Sequence, residues 1–278
     1  MKPPPFAYAR AESLEQALAL LAEGGEDAKA LAGGQSLVPA LSFRLLRPTH
    51  LVDIDRVGGL DAVRGADGRL SLGALVRHAT LARLQPSQSH RALRAAARAI
   101  GHDAIRVRGT LGGSLAHADP AAELPVVALA LDAELVVASL EGRRSVAAAD
   151  FFLGPFTTAL APGELLVEAV FPALPPGART AFAEFAARAG DFALACVCVG
   201  VAPGWARIAV GGVGATPVRA QAAEAVLAGG GAGALQEAAA TASRELEVYG
   251  DRAADQGYRR GLVQTLTRRA LADALETA

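Results

Sequence analysis

Apolar residues at Leu14, Ala17, Leu18 and Leu21 fall on one stripe of an α-helix, and Ser13 with Gln16 three residues on forms a capping box at its start. Gly24-Gly25 marks the stop. The strand-like run "AKALAG" follows and leads into Gly33-Gly34, and "LVDIDRV", from Leu51 to Val57, reads as a further strand. Residues 1–57 are therefore expected to form a small βαβ-like lobe. From Arg69 the pattern changes: "RLSLG" alternates, Ser89 to Ile100 has a helical period, and "AELVVAS" with "RRSVAA" reads as paired strands around Glu141-Gly142. These elements predict a second lobe over residues 58–175. "FPALPPG", Phe171 to Gly177, is the clearest linker, because its prolines remove ladder donors and block helix.

Beyond it, in residues 176–278, "FALACVCVGVAPGWARIAVGGVG" predicts two apolar strands across Pro203-Gly204. The last ~60 residues carry helical patterns that include Leu262, Leu266, Ala270 and Leu275. The "GGGAG" run from Gly229 to Gly233 reads as a flexible joint between helices. The expected fold class is α+β.

With 278 residues, 52% of them hydrophobic and 20% charged, the chain is long enough for two or three modules and too apolar for disorder. A formal net charge of -1 removes the broad positive field of a nucleic-acid binder. The start lacks an apolar leader and no run of apolar residues is long enough to span a bilayer, so a soluble, cytoplasmic protein without a transmembrane segment is expected. Cys196 and Cys198, the only cysteines, alternate onto one face of a strand and read as small core residues. With two cysteines the chain cannot itself hold a conventional iron–sulfur cluster, which takes four thiolates.

Chemistry centres on two Gly-Gly segments, "LAGGQSL" and "TLGGSLAHADP". Neither is a P-loop, since no Lys follows a glycine; "GGVGATP" lacks the third glycine of a Rossmann turn and meets Pro217 where a helix should begin. "GGSLA" falls one residue short of a hydrolase elbow, and no histidine follows it at a distance, the last being His117. His117, Asp119 and Glu123 are close in sequence without a full ligand set, and "HADP" reads as a capping and turn segment. What remains is anion binding by backbone: consecutive glycines let successive N–H groups converge, and a following Ser or Thr adds a hydroxyl. Two such turns, one from each lobe, are expected to grip the two phosphates of a dinucleotide lying between the lobes.

At these residues the sequence resembles a known family, the FAD-binding medium subunits of molybdenum hydroxylases such as carbon monoxide dehydrogenase and xanthine dehydrogenase. "AGGQSLVPALSFRLLRPTHLVDI", "IRVRGTLGGSLAHADPAAELP", "FFLGPFTTALAPGELL" and "AVGGVGATPVRAQAAEAVLAG" occur in the family's order. The resemblance implies a two-lobed FAD domain of the vanillyl-alcohol-oxidase-like (PCMH) type, residues 1–175, followed by a C-terminal antiparallel sheet with helices. It also implies that Ala30, Leu31, Ala32, Gly33, Gly34, Gln35, Ser36 and Leu37, with Thr110, Leu111, Gly112, Gly113 and Ser114, wrap the FAD diphosphate. Glu123 matches a position suited to accept hydrogen bonds from flavin hydroxyls, though at a helix start it serves the dipole equally well. Ile100 and Leu166 match apolar positions near the flavin, and the loop Arg188 to Phe192 matches a segment bordering its ring.

Three positions depart from relatives: Gln35 for His, Val107 for Asn and Glu184 for Lys. An anion at Glu184 should make a nearby flavin harder to reduce and favour a quinone or other carrier as external acceptor. The resemblance implies an oxidoreductase subunit that receives electrons from a small subunit with two [2Fe-2S] clusters, beside a large subunit holding the molybdenum cofactor, in a dimer of heterotrimers. No residue is expected to be catalytic or to ligate a metal. A flavin-free assembly protein on the same fold and a stand-alone flavin oxidoreductase are the rival readings; the intact glycine turns oppose the first, and the lack of a recognisable base opposes the second.

Overall fold

A computed structural model describes residues 2–85, 90–231 and 233–276. The first sheet is built from β1 (Ala7–Arg10), β2 (Ala28–Leu31) and β3 (His50–Asp53), joined through helices α1 (Leu14–Gly24) and α2 (Leu37–Ser42). All pairings are parallel and β3 lies in the centre. Helix α1 starts as its sequence demands, with the Gln16 amide donating to Ser13 Oγ at 3.2 Å. The reciprocal bond differs from a standard box, because Gln16 Oε1 accepts from the Glu12 amide, one residue further back. Gly25 ends the helix at φ 55°. The strand expected over Leu51 to Val57 closes at Asp53, whose Oδ1 accepts the Asp55 amide at 2.9 Å and turns the chain.

The second sheet has the order β4-β5-β10-β6-β7, all antiparallel. It comprises β4 (Val63–Ala66), β5 (Arg69–Gly73), β6 (Glu134–Ser139), β7 (Gly142–Ala147) and β10 (Leu165–Phe171). Between β5 and β6 run α3 (His78–Leu81), α4 (Arg91–Ala99), α5 (Asp103–Arg106), α6 (Leu111–His117) and α7 (Glu123–Ala130). The helix expected from Ser89 begins at Arg91, and Ser89 itself lies outside the described residues. After β7 come α8 (Ala148–Phe151) and the short pair β8 (Phe152–Gly154) and β9 (Thr157–Thr158). Every side chain of α7 is buried, which is why its sequence shows no polar face.

The third sheet is antiparallel in chain order: β11 (Arg179–Ala186), β12 (Ala193–Ala202), β13 (Trp205–Gly211) and β14 (Val218–Arg219). Helices α9 (Gln221–Gly229), α10 (Ala234–Glu245) and α11 (Gln256–Glu276) follow. Strand β12 divides two cores by simple alternation. Ala195, Val197 and Val199 pack with Ala242, Leu266 and Leu271 of the helices, while Cys196 and Cys198 point the other way, into the core of Leu93, Val126 and Leu131. Both thiols are fully buried and free, with burial pushing their acidity far out of the physiological range. This two-sided burial explains a strand with no polar alternation. Thr180 strengthens the junction, accepting the Ala92 amide at the start of α4 on a buried hydroxyl at 3.0 Å.

Leu262, Leu266 and Ala270 are buried as a stripe, but Leu275 is 48% exposed. At about 100° per residue, the five-residue step from Ala270 carries it about 140° off the stripe. The glycine run closes α9 at Gly230 and opens α10 at Gly233, both at positive φ.

Candidate functional site

The first Gly-Gly segment meets the backbone just ahead of the second. Gly33, just after β2, lies so close to the segment before α6 that a Cβ on it would sit 2.2 Å from the Arg108 carbonyl oxygen and 2.9 Å from Gly109 Cα. No side chain fits in that gap. Gly34 follows at φ 73°, a left-handed turn that glycine adopts without strain. Ala30 and Leu31 complete β2, Ala32 continues from it, and Gln35 and Ser36 lead into α2 at Leu37. The amides of Gly34, Gln35, Ser36 and Leu37 donate to no protein acceptor among the described residues. Gln35 Oε1 accepts none of them among the described residues, and its Nε2 donates to the Gly33 carbonyl at 3.2 Å. Gly34 and Gln35 border an open cleft of about 370 Å³, whose other lining residues are Leu31, Ala32, Gly33, Val38, Pro39, Asp53 and Arg108.

The second segment is built differently from the expected amide nest. Thr110 is the N-cap of α6, its Oγ1 accepting the Gly113 amide at 3.1 Å. Leu111 donates to Val76, Gly112 to Ala74 and Ser114 to the Thr110 carbonyl, so these amides are already committed. Gly112 is required by packing, since a Cβ there would lie 2.5 Å from Ala74 Cβ. What Thr110, Leu111, Gly112, Gly113 and Ser114 offer a ligand is the first turn of a helix and the Ser114 hydroxyl, with no row of unused N–H groups.

His78 fastens this segment. Its Nε2 lies 2.8 Å from the Thr110 carbonyl, which only accepts, so Nε2 carries the proton. Burial drives the imidazole down to about 4, and it stays neutral through the physiological range. The Nδ1 lone pair is buried without a partner and faces Gly109, where a Cβ would approach it to 2.7 Å. No sequence signal marks this role; it follows only from seeing His78 backed against Gly109.

Ile100 and Leu166 are both buried in the main core, at the end of α4 and on β10, and neither lines the cleft. The loop Arg188 to Phe192 packs on the turn after Ile100: a Cβ on Gly190 would come within 2.6 Å of His102 Cε1. Val107 is exposed. "HADP" makes a turn, with Ala118 in the left-handed region and Asp119 Oδ1 accepting the Ala121 amide at 2.9 Å.

Glu123 opens α7 and is 6% exposed. Burial pushes its carboxyl up to about 8, with Glu184 and then Asp119 adding repulsion. Glu184, on β11, is raised by burial to about 7, and its Oε2 is buried without a partner. The anion expected at Glu184 is thus protonated about half the time near neutrality, which weakens the argument from its charge to a particular acceptor. The adjacency of these two carboxyls across the junction was not legible in sequence.

Residues 4–174 match the family described as FAD binding domain in molybdopterin dehydrogenase, and residues 180–274 match the CO dehydrogenase flavoprotein C-terminal domain. The alpha subunit of the 6-hydroxypseudooxynicotine dehydrogenase complex of Paenarthrobacter nicotinovorans is 46% identical over 100% of this chain and 97% of its own. Solved carbon monoxide dehydrogenase from Hydrogenophaga pseudoflava superposes with a TM-score of 0.93 at 36% identity, covering 99% of both chains. Quinoline 2-oxidoreductase from Pseudomonas putida 86 gives 0.92 at 37% identity, again over 99% of both. The uncommitted amides and the glycine-limited contact of Gly33 with Arg108-Gly109 suit an extended diphosphate, and with these matches running end to end the chain belongs to the FAD-binding medium subunits of the molybdenum hydroxylases, oxidoreductases of carbon monoxide dehydrogenase type that carry FAD.

Proposed function

We propose that this chain is the electron-relay subunit of its complex, placed between the [2Fe-2S] clusters of a small partner and an external acceptor, a quinone or other carrier. A large subunit with the molybdenum cofactor oxidises the organic substrate, and the assembly is a dimer of such heterotrimers. The observation that carries the reading is the meeting of Gly33 with Arg108-Gly109 beside the unused amides of Gly34 to Leu37. When bound, FAD supplies a carrier that takes electrons singly and passes them on singly or in pairs.

The chain's own part is binding and placement. The amides of Gly34, Gln35, Ser36 and Leu37 hold one side of the diphosphate, the Arg108 guanidinium lining the same cleft adds positive charge, and Ser114 with the start of α6 serves the other side. The Arg188 to Phe192 loop keeps water from the flavin ring, and Ile100 and Leu166, both in the core, serve as packing behind the site. Glu123, neutral through most of the physiological range, is able to donate a hydrogen bond as well as accept one. Nothing in this arrangement requires a nucleophile.

Surface features support partners. Phe43, Leu45 and Phe192 are 66%, 77% and 69% exposed, giving other subunits apolar area to cover. Similar chains serve complexes named for substrates as different as carbon monoxide and quinoline, which fits a relay that leaves substrate choice to another subunit. Purification alone and together with the products of neighbouring genes tests this. The chain alone should carry one flavin per molecule, and its colour should be lost on substrate addition only when the partners are present; a colourless chain indifferent to added FAD refutes the reading.

A further inference from the structure

A single carbonyl oxygen, that of Arg108, fixes how closely the two glycine segments approach. On one side it rests against Gly33, where even a methyl group has no room. On the other it accepts Arg77 Nη1 at 2.5 Å. The second arm of the same guanidinium, Nη2, is bonded to Asp55 Oδ1. Asp55 belongs to the turn that closes β3, and its amide is held by Asp53 Oδ1. Arg77 therefore spans the first sheet's turn and the segment leading to α6, and the three residues form the wall between two clefts. Arg108 lines the larger cleft, while Asp55 and Arg77 line a neighbouring one of about 280 Å³.

We propose that Arg77 is a positioning residue of the FAD cradle: its fork, tied to Asp55, seats the Arg108 peptide against Gly33 and so sets the separation of the two diphosphate-binding segments. The guanidinium suits this because its two arms reach two acceptors in one plane, which an ammonium does not reproduce. Asp55 has a second use. Its Oδ2 lies 3.8 Å from Arg108 Nη1, so one carboxylate restrains both the peptide of Arg108, through Arg77, and the side chain of Arg108 directly. Without Arg77 the Arg108 carbonyl loses its only described donor, and the 108–109 peptide is left held by its N–H alone, which donates to the Ile105 carbonyl at 2.8 Å. This inference rests on the reading of the cleft as the FAD site.

The test uses the full chain stripped of flavin and titrated with FAD, following flavin fluorescence, with thermal unfolding of the flavin-free protein measured alongside. Arg77→Met should weaken FAD binding by at least about tenfold, since a cradle that must be ordered by its ligand binds less tightly than one already in place. Arg77→Lys should recover part of that loss. Asp55→Asn, which keeps an acceptor for Arg77 and disturbs folding least, should weaken binding in the same direction. The double variant Asp55→Asn with Arg77→Met should be weaker by less than the sum of the two single effects, because they share one bridge while the contact of Asp55 with the Arg108 side chain is separate. A purely structural role would lower the unfolding temperature and leave FAD affinity of the folded protein unchanged. Wild-type chain that takes no FAD overturns the functional reading and this inference together. Wild-type chain that binds FAD while Arg77→Met binds within about twofold of it, or Asp55 and Arg77 effects that simply add, overturns the inference alone.

Discussion

Replacing Glu123 by Gln should stabilise the flavin-free protein, and by an amount that grows with pH. Glu123 is buried at the head of α7, faces Glu184 from β11 and Asp119 from the preceding turn, and sits near the Cys196 thiol of β12. Its carboxyl is raised from 4.5 to about 8. In the unfolded chain it ionises near 4.5, so between these values the unfolded state releases a proton that the folded state keeps. The contribution of this group to stability is therefore complete below pH 4.5 and is lost progressively as the pH rises through about 8. The full span corresponds to ~5 kcal/mol, with about 1 lost by pH 5 and about 3 by pH 7, as order-of-magnitude values. Glutamine matches the neutral acid in shape and never ionises. Urea unfolding of wild type and Glu123→Gln at pH 5, 7 and 9 should thus give stability differences that widen by about 2 kcal/mol from the first to the second pH and further at the third. Glu184→Gln should narrow the window from its upper end by removing the repulsion while leaving Glu123 buried. Parallel pH profiles for wild type and Glu123→Gln would refute the account, because they would mean that Glu123 ionises in the folded protein as readily as in water.

The glycine contacts separate two kinds of constraint. Gly33→Ala should lose stoichiometric FAD, read from the flavin to protein absorbance ratio, because its methyl would strike the Arg108 carbonyl; Gly34→Asn should retain most of it, since Asn tolerates positive φ and the nearest neighbours are flexible ends of Val38 and Leu31. Thr110→Ala removes the cap of α6 and should cost about 1 kcal/mol in urea unfolding, with Thr110→Ser close to wild type. Leu271→Ala opens a fully buried position between α11 and the third sheet and should cost about 2–5 kcal/mol by the same measurement.

Local chemistry was readable from the sequence where it acts over a few residues. Ser13 announced α1, the unbroken apolar run announced β12, and Pro203-Gly204 announced the turn between β12 and β13. β4 gave no signal, since Val63, Arg64, Gly65 and Ala66 are all exposed and nothing in such a run marks a core face. Thr110 was legible as a hydroxyl beside glycines but also stands three residues before Gly113, the spacing of a cap, and that local reading decides where its oxygen points. Interactions between distant segments left no trace at all. Arg77 meets residues 22 and 31 positions away, and Glu123 is repelled by a carboxyl on the third sheet; neither pairing has a spacing rule.

The same dipeptide thus serves different physics in its two occurrences. In the first, Gly34 supplies a left-handed turn at the head of four amides that have no protein acceptor among the described residues, and Gly33 supplies thinness so that Arg108 can approach. In the second, both glycines sit in the opening turn of α6 with their amides satisfied, and Gly112 supplies thinness against Ala74. Three of the four glycines therefore lie outside the positive-φ region, so that space is what constrains them, and one has a φ that other residues adopt with strain. A cradle of this kind depends less on the glycines as flexible points than on the rigid partners pressed against them: Ala74 of the second sheet's rim behind Gly112, and the Arg108 carbonyl, pinned by Arg77, behind Gly33.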